Sequence, residues 1–166
     1  MNKLYCGIGA RETPQDILEL MTRVSKGLDR KRYVLRSGGA QGADKAFEAG
    51  VVSTRTEIML ASDNLPVWTD VFTDFFHPNP SALKDYVRKL MNRNAMQILG
   101  KCGSRPVDFV VCWTKDGKES GGTGHALRIA NYYNIPVFNL KNEGALHELK
   151  EFVNGNPKNT TRDHTS

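Results

Sequence analysis

The chain has 166 residues, a formal net charge of +5, 39% hydrophobic residues and 25% charged residues. That length fits one domain able to bury about two-thirds of the surface its unfolded chain exposes, and the balance excludes a low-complexity or highly charged disordered polymer. No apolar run approaches the ~20 residues of a membrane span, and Met1-Asn2-Lys3 leads straight into a strand pattern rather than a signal peptide, so the expected location is the cytoplasm.

Residues 4–8, Leu4-Tyr5-Cys6-Gly7-Ile8, read as a first strand. Thr13-Pro14-Gln15-Asp16 then opens a helix, with Thr13 as N-cap, proline at the first helical position and an acid at the third. Its apolar face is Ile17, Leu18, Leu20, Met21 and Val24, and Gly27 is the expected stop. Residues 33–35 give a second strand, followed by the run Ser37-Gly38-Gly39-Ala40-Gln41-Gly42-Ala43-Asp44 and a short helix carrying Ala46, Phe47 and Ala49. A third strand is expected over residues 57–61. Residues 62–80 hold Pro66, Trp68, Phe72, Phe75, Phe76, Pro78 and Pro80 without a clean period, which reads as an irregular aromatic flap.

Between residues 81 and 99, Leu83, Val87, Leu90, Met91, Ala95, Ile98 and Leu99 recur at three- and four-residue spacing, predicting a long helix that Gly100 ends. Residues 107–113 form the fourth and most β-rich strand. Asp116-Gly117 marks a turn, and Ser120-Gly121-Gly122-Thr123-Gly124 then leads into a helix carrying Ala126, Leu127, Ile129, Ala130 and Tyr133. A fifth strand covers residues 135–140 with Pro136 near its start. A last helix covers residues 143–153, and the polar tail 154–166 is expected to be disordered.

This alternation predicts an α/β fold: a three-layer Rossmann-like parallel sheet of about five strands, order 3-2-1-4-5, with helices on both faces, in one domain over residues 1–153. In that order a crevice opens at the carboxyl ends of strands one and four, where strand order reverses. Strands one, two and four are the ones that end in glycine clusters: Gly7-Ile8-Gly9, the run from Ser37 to Asp44, and Ser120 to Gly124. Glycine lets a ligand approach main-chain N–H groups, and helix N-termini behind such loops favour an anion. The convergence points to a phosphorylated, nucleotide-type ligand.

The candidate ligand-binding residues are accordingly Gly7, Gly9, Ala10 and Arg11 in the first loop, Ser37, Gly38, Gly39, Gln41, Gly42 and Asp44 in the second, and Ser120, Gly121, Gly122, Thr123, Gly124 and His125 in the third. Arg93 and, with less weight, Arg36 join Arg11 as guanidinium groups that match phosphate oxygens with paired bonds. Asp44 either caps its helix or orients the loop or a ribose hydroxyl. Trp113, ending the fourth strand, either stacks on a base or packs under a loop. His125 either donates to phosphate or faces solvent, and His77 reads as a loop residue. Ser37, Ser120 and Thr123 are hydroxyl donors or helix caps. Cys6, Cys102 and Cys112 and four scattered histidines share no metal-type spacing, so no metal is expected and Cys6 and Cys112 read as small core residues.

The order of motifs resembles the family of DprA, the DNA-processing recombination mediator. Ser37-Gly38-Gly39-Ala40-Gln41-Gly42-Ala43-Asp44 looks like its signature loop, Asn92-Arg93-Asn94-Ala95 its arginine-asparagine segment, Ser120-Gly121-Gly122-Thr123 its second glycine loop, and Ile135-Pro136-Val137-Phe138 its closing strand. The resemblance covers roughly residues 3 to 140. Gln41 stands where that loop often has arginine, and the length leaves no room for flanking helical and winged-helix domains. The wider SLOG group also includes nucleotide sensors and Lonely-Guy phosphoribohydrolases. Arg88-Lys89-Leu90-Met91 is similar to a helix of the latter, but Ser120 and His125 replace a proline and a threonine of their loop, and Leu127-Arg128 stands where their essential glutamate belongs.

The resemblance implies a homodimer, with the helix of residues 81–99 able to supply the face, and a higher homo-oligomer is the alternative expectation. The first reading is a protein that binds a small phosphorylated nucleotide, of ADP-ribose or cyclic type, as sensor or sequestering protein without turnover. The alternatives are a minimal mediator that binds single-stranded DNA through the same crevice, and a nucleotide N-glycosidase in which Glu119 substitutes for the missing acid. The net positive charge mildly favours polyanionic partners.

Overall fold

The computed structural model describes residues 3–62 and 64–155, so the predicted tail lies, from residue 156 onward, outside the described residues. Strands and helices alternate along the chain: β1 Lys3–Gly9, α1 Gln15–Arg30, β2 Tyr33–Ser37, α2 Ala43–Gly50, β3 Thr56–Ile58, α3 Val67–Phe76, α4 Asp85–Leu99, β4 Phe109–Trp113, α5 Gly121–Tyr132, β5 Val137–Asn139 and α6 Ala145–Asn154. The five strands form one parallel sheet in the order β3-β2-β1-β4-β5, the order the sequence predicts. Among the described residues no helix is long and apolar enough to cross a membrane.

Strand side chains alternate between the two faces. On one face Leu4, Cys6 and Ile8 of β1 and Val110 and Cys112 of β4 pack beneath α4 and α5. On the other, Tyr5, Leu35, Phe109 and Val111 pack beneath α1, α2 and α6. Tyr5 stacks on Phe109 with ring centroids 5.5 Å apart, and Phe109 meets Tyr33 and Phe138 edge-on. Cys6 and Cys112 are fully buried core residues. Burial raises both thiols, Cys112 to about 12, which keeps them protonated and inert.

Four sequence expectations need correction. The expected flap contains a ten-residue helix, α3, entered from Pro66. Trp68, Phe72 and Phe76, four residues apart, pack on the α4–α5 side, while Val67, Val71 and Phe75, also four apart, face solvent. Apolar residues on two faces of one short helix blur the period that would reveal it. Second, α4 begins at Asp85, because Pro80–Ala82 makes a 3-10 turn and Leu83 and Lys84 are extended. Third, α1 runs through Gly27 to Arg30 and stops where Arg32 takes a left-handed φ of 65°. Fourth, Met91 to Leu99 of α4 are all buried beside α3 and α5, which leaves only the first turns of that helix, where Tyr86 is exposed, open to a second copy.

Candidate functional site

A cleft of about 830 Å³ opens at the carboxyl ends of β1, β2 and β4. Its walls are the three glycine loops: Gly9, Ala10 and Arg11 after β1, Ala40, Gln41 and Gly42 after β2, and Lys115 with Ser120 to Thr123 after β4. Leu90, Met91, Arg93 and Asn94 of α4 close one side. The loops meet because β1 sits between β2 and β4 in the sheet, with Gly9 level with Trp113.

Close approach is built into the glycines. A Cβ on Gly9 would lie 2.6 Å from Ala43 Cβ, so only glycine lets β1 pass the first turn of α2. Gly42 has φ 89° with open space around it, and Gly121 has φ 65°, so their requirement is conformational. Gly42 and Gly121 lie at the starts of α2 and α5, whose first-turn N–H groups have no partner within their helices.

Two neighbouring side chains of α4 tie the second and third loops together. Buried Arg93 donates through Nη1 to the Gly38 carbonyl at 2.7 Å and through Nε to Asn94 Oδ1 at 3.0 Å. Asn94 Nδ2 in turn donates to the Gly122 carbonyl at 3.1 Å. Asp44 faces Arg93 across Gly38, where a Cβ would collide with both side chains, and its Oδ2 accepts the Ala40 N–H at 3.1 Å. Burial raises the Asp44 carboxyl above its ordinary range, with Arg93 pulling it back down, and burial lowers the Arg93 guanidinium against the pull of Asp44. Asp44 thus holds the second loop through the Ala40 N–H, and it also lines the cleft.

The exposed charges lining the cleft are Arg11, Lys115 and Glu12, which sum to one positive charge. Arg11 and Lys115 make no ion pair among the described residues. Lys115 was not singled out from sequence, although its place directly beyond the end of β4, beside β1, is the signal that finds it. Glu12 also lines the cleft and was not anticipated.

Of the sequence candidates, Gly9, Ala10, Arg11, Gln41, Gly42, Asp44, Arg93, Ser120, Gly121, Gly122 and Thr123 line the cleft. The others do not, each for a packing reason. Gly7 shares the face of Tyr5, and a Cβ there would lie 2.5 Å from the Phe47 ring. Ser37 is fully buried and donates to Glu48 Oε2 at 2.8 Å. Gly38 makes room for Arg93 and Asp44, and Gly39, at φ 69°, sits against Leu60. Gly124 passes 2.6 Å from the Glu119 backbone at the ideal Cβ position. Trp113 has the parity of Phe109 and Val111 and packs in the α1–α6 core rather than stacking on a base. His125 is fully buried beside His77 and Arg128. Arg36, also buried, pairs with Glu57 at 3.2 Å and donates to the Arg105 carbonyl.

Hydroxyls and acids near the third loop are engaged elsewhere. Ser120 Oγ donates to Asp116 Oδ1 at 2.7 Å, which with the Lys118 N–H holds that carboxyl below its ordinary range. Glu119 accepts from Asn131 and lines a separate hollow with Asp116 and Asn139, not the main cleft. Leu127 is buried, and Arg128 Nε donates to the Phe76 carbonyl at 2.8 Å. Among the described residues no cluster of three or more His, Cys, Asp or Glu side chains is placed to hold a metal ion.

No family model matches the chain, and no curated protein matches it. Among solved structures it is similar to DNA processing protein A from Helicobacter pylori, with a TM-score of 0.54 and 16% sequence identity over 93% of this chain and 74% of that one. That structure concerns a single-stranded DNA binding mode. At this identity the likeness establishes a shared Rossmann-like fold.

Proposed function

We propose that the cleft binds the sugar-phosphate of single-stranded DNA and holds it without chemical turnover. The observation that carries this reading is the convergence of three loops, with the starts of α2 and α5, on one cleft whose mouth carries the unpaired cations Arg11 and Lys115. Backbone N–H groups and helix N-termini are sequence-independent partners for phosphate. The fold shared with a protein described as binding single-stranded DNA supports the same reading. In this scheme Arg11 and Lys115 neutralise phosphates, and Arg93 and Asn94 keep the two glycine loops in register.

A second reading, a free phosphorylated nucleotide of ADP-ribose or cyclic type, is supported by the cleft's 830 Å³, within the roughly 300–1,000 Å³ common for small-molecule sites. Fluorescence anisotropy of a labelled oligothymidylate, titrated at several salt concentrations, separates the two. DNA held by phosphate contacts weakens with a log–log slope of about −0.7 per phosphate neutralised, so removing Arg11 or Lys115 lowers the slope by about 0.7 each. A protein that ignores the oligonucleotide at low salt, yet binds a mononucleotide or dinucleotide by calorimetry, contradicts the DNA reading and supports the second.

A further inference from the structure

Two surfaces outside the cleft complement each other. The first is an apolar groove of about 590 Å³ between α1 and α6. Buried Leu28, Leu149 and Val153 form its floor, and half-buried Leu20, Val24 and Leu146 its walls. Arg23, Lys31 and Lys150 stand along its rim, no acidic residue lines it, and none of the three cations is ion-paired among the described residues. Gly27 lies at this groove inside α1, and a Cβ there would meet nothing within 4 Å. It has neither a packing reason nor a left-handed φ, and a mid-helix glycine costs about 0.5–1 kcal/mol relative to alanine. What it does is leave the groove open.

The second surface is the outer ridge of α3, where Val67, Val71 and Phe75 are 81%, 58% and 70% exposed at four-residue spacing. Tyr132 extends it, its ring edge-on to Phe75 at 6.1 Å. Asp70 and Asp74 flank the ridge and share the single guanidinium of Arg88, which leaves one net negative charge. Both stripes, Leu20 to Leu28 and Val67 to Phe75, span nine residues, whose eight steps cover about 12 Å of helix at 1.5 Å per residue.

We infer that α3 of one copy of this chain seats in the α1–α6 groove of another, apolar ridge against apolar groove and the acidic flank against the basic rim. The groove lies on one face of the sheet and α3 on the other, so the contact is head-to-tail. Such a contact does not close on itself at two copies, and it builds a larger ring or an open row. The composition of residues 156–166 does not match the groove: Lys158 and Arg162 stand against one acid, Asp163, with no Leu, Ile, Val or Phe. This inference stands apart from the nucleic-acid reading.

One ten-residue helix buries less than the ~800 Å² per partner of a standard interface, so the association is weak and needs a concentration series. Sedimentation velocity of the full chain is expected to show a weight-average size that rises past the dimer as concentration increases. Phe75→Asp removes the ridge and Gly27→Leu fills the groove, and each alone is expected to be monomeric. Mixed in equal amounts they are expected to form pairs that stop at two copies, because one supplies a working groove and the other a working ridge. Val71→Glu and Lys150→Glu, also at exposed positions, repeat the design, and melting curves confirm that all four fold. A wild-type chain that stays monomeric overturns the inference. So does association that stops at a symmetric dimer, that survives either substitution, or that the mixture fails to restore.

Discussion

Asn94 is the residue on which the cleft's shape turns, because its one amide accepts from Arg93 and donates to Gly122, holding loops that are far apart in sequence. Asn94→Ala leaves the Nε of buried Arg93 without that partner and frees the carbonyl of exposed Gly122. The expected loss is about 1–3 kcal/mol, read by urea denaturation, together with weaker oligonucleotide binding. Unchanged stability would mean that the link carries no load. His125 makes a separate prediction. Burial, reinforced by Arg128 and His77, lowers it from 6.5 to about 3, and neither ring nitrogen has a hydrogen-bond partner. Between those values the unfolded chain binds a proton that the folded chain does not, so this contribution is complete above the unfolded pKa and is lost as pH falls toward the folded one, by up to about 1.4 kcal/mol per pH unit. His125→Phe should therefore lose less stability than the wild type between neutral pH and pH ~4.5, measured by thermal melts. Equal losses would contradict the burial. At this scale sequence legibility was mixed: glycine clusters marked the loops, but parity along a strand decided that Trp113 packs inward, and nothing local to His125 reveals that a neighbouring helix covers it.

At the scale of elements, α3 is where local pattern and tertiary structure diverge most. Its inner residues Trp68, Phe72 and Phe76 join the α4–α5 core, while its outer ridge is as apolar as its inner one. A helix with two apolar faces carries little periodic signal, which is why the segment reads as irregular. Phe72→Ala is expected to destabilise the chain by about 2–4 kcal/mol, whereas Phe75→Ala, at an exposed position, should change stability by about 0.5 kcal/mol or less. Chemical denaturation of the two variants checks this, and equal effects would contradict the helix's placement. The parallel strands were legible because each is a short β-branched or aromatic run ended by glycine or a polar turn. Their ends were not, since β3 stops at Ile58 and β5 at Asn139, where pairing with the neighbouring strand ends. Helix boundaries moved for similar reasons: Arg32 rather than Gly27 supplied the left-handed stop, and Pro80 bent the chain before α4.

Across the whole molecule, strand order makes the site. Placing β1 between β2 and β4 brings together loops that lie more than a hundred residues apart at their extremes, and this convergence was readable from the three glycine clusters once the order 3-2-1-4-5 was assumed. Which residues reach the cleft was legible only in part, because Lys115 owes its place to the sheet's geometry and Gly7, Ser37, Gly38, Gly39 and Gly124 serve packing behind it. The claim that the loops act together on one phosphate-bearing strand is tested most directly by amide chemical shifts of isotope-labelled protein titrated with an oligothymidylate. The expected result is that amides of Gly9 to Arg11, Gln41 to Gly42 and Gly121 to Thr123 shift together along one binding curve, while those lining the α1–α6 groove do not. Shifts confined to a surface away from the cleft, or none at saturating oligonucleotide, would contradict it.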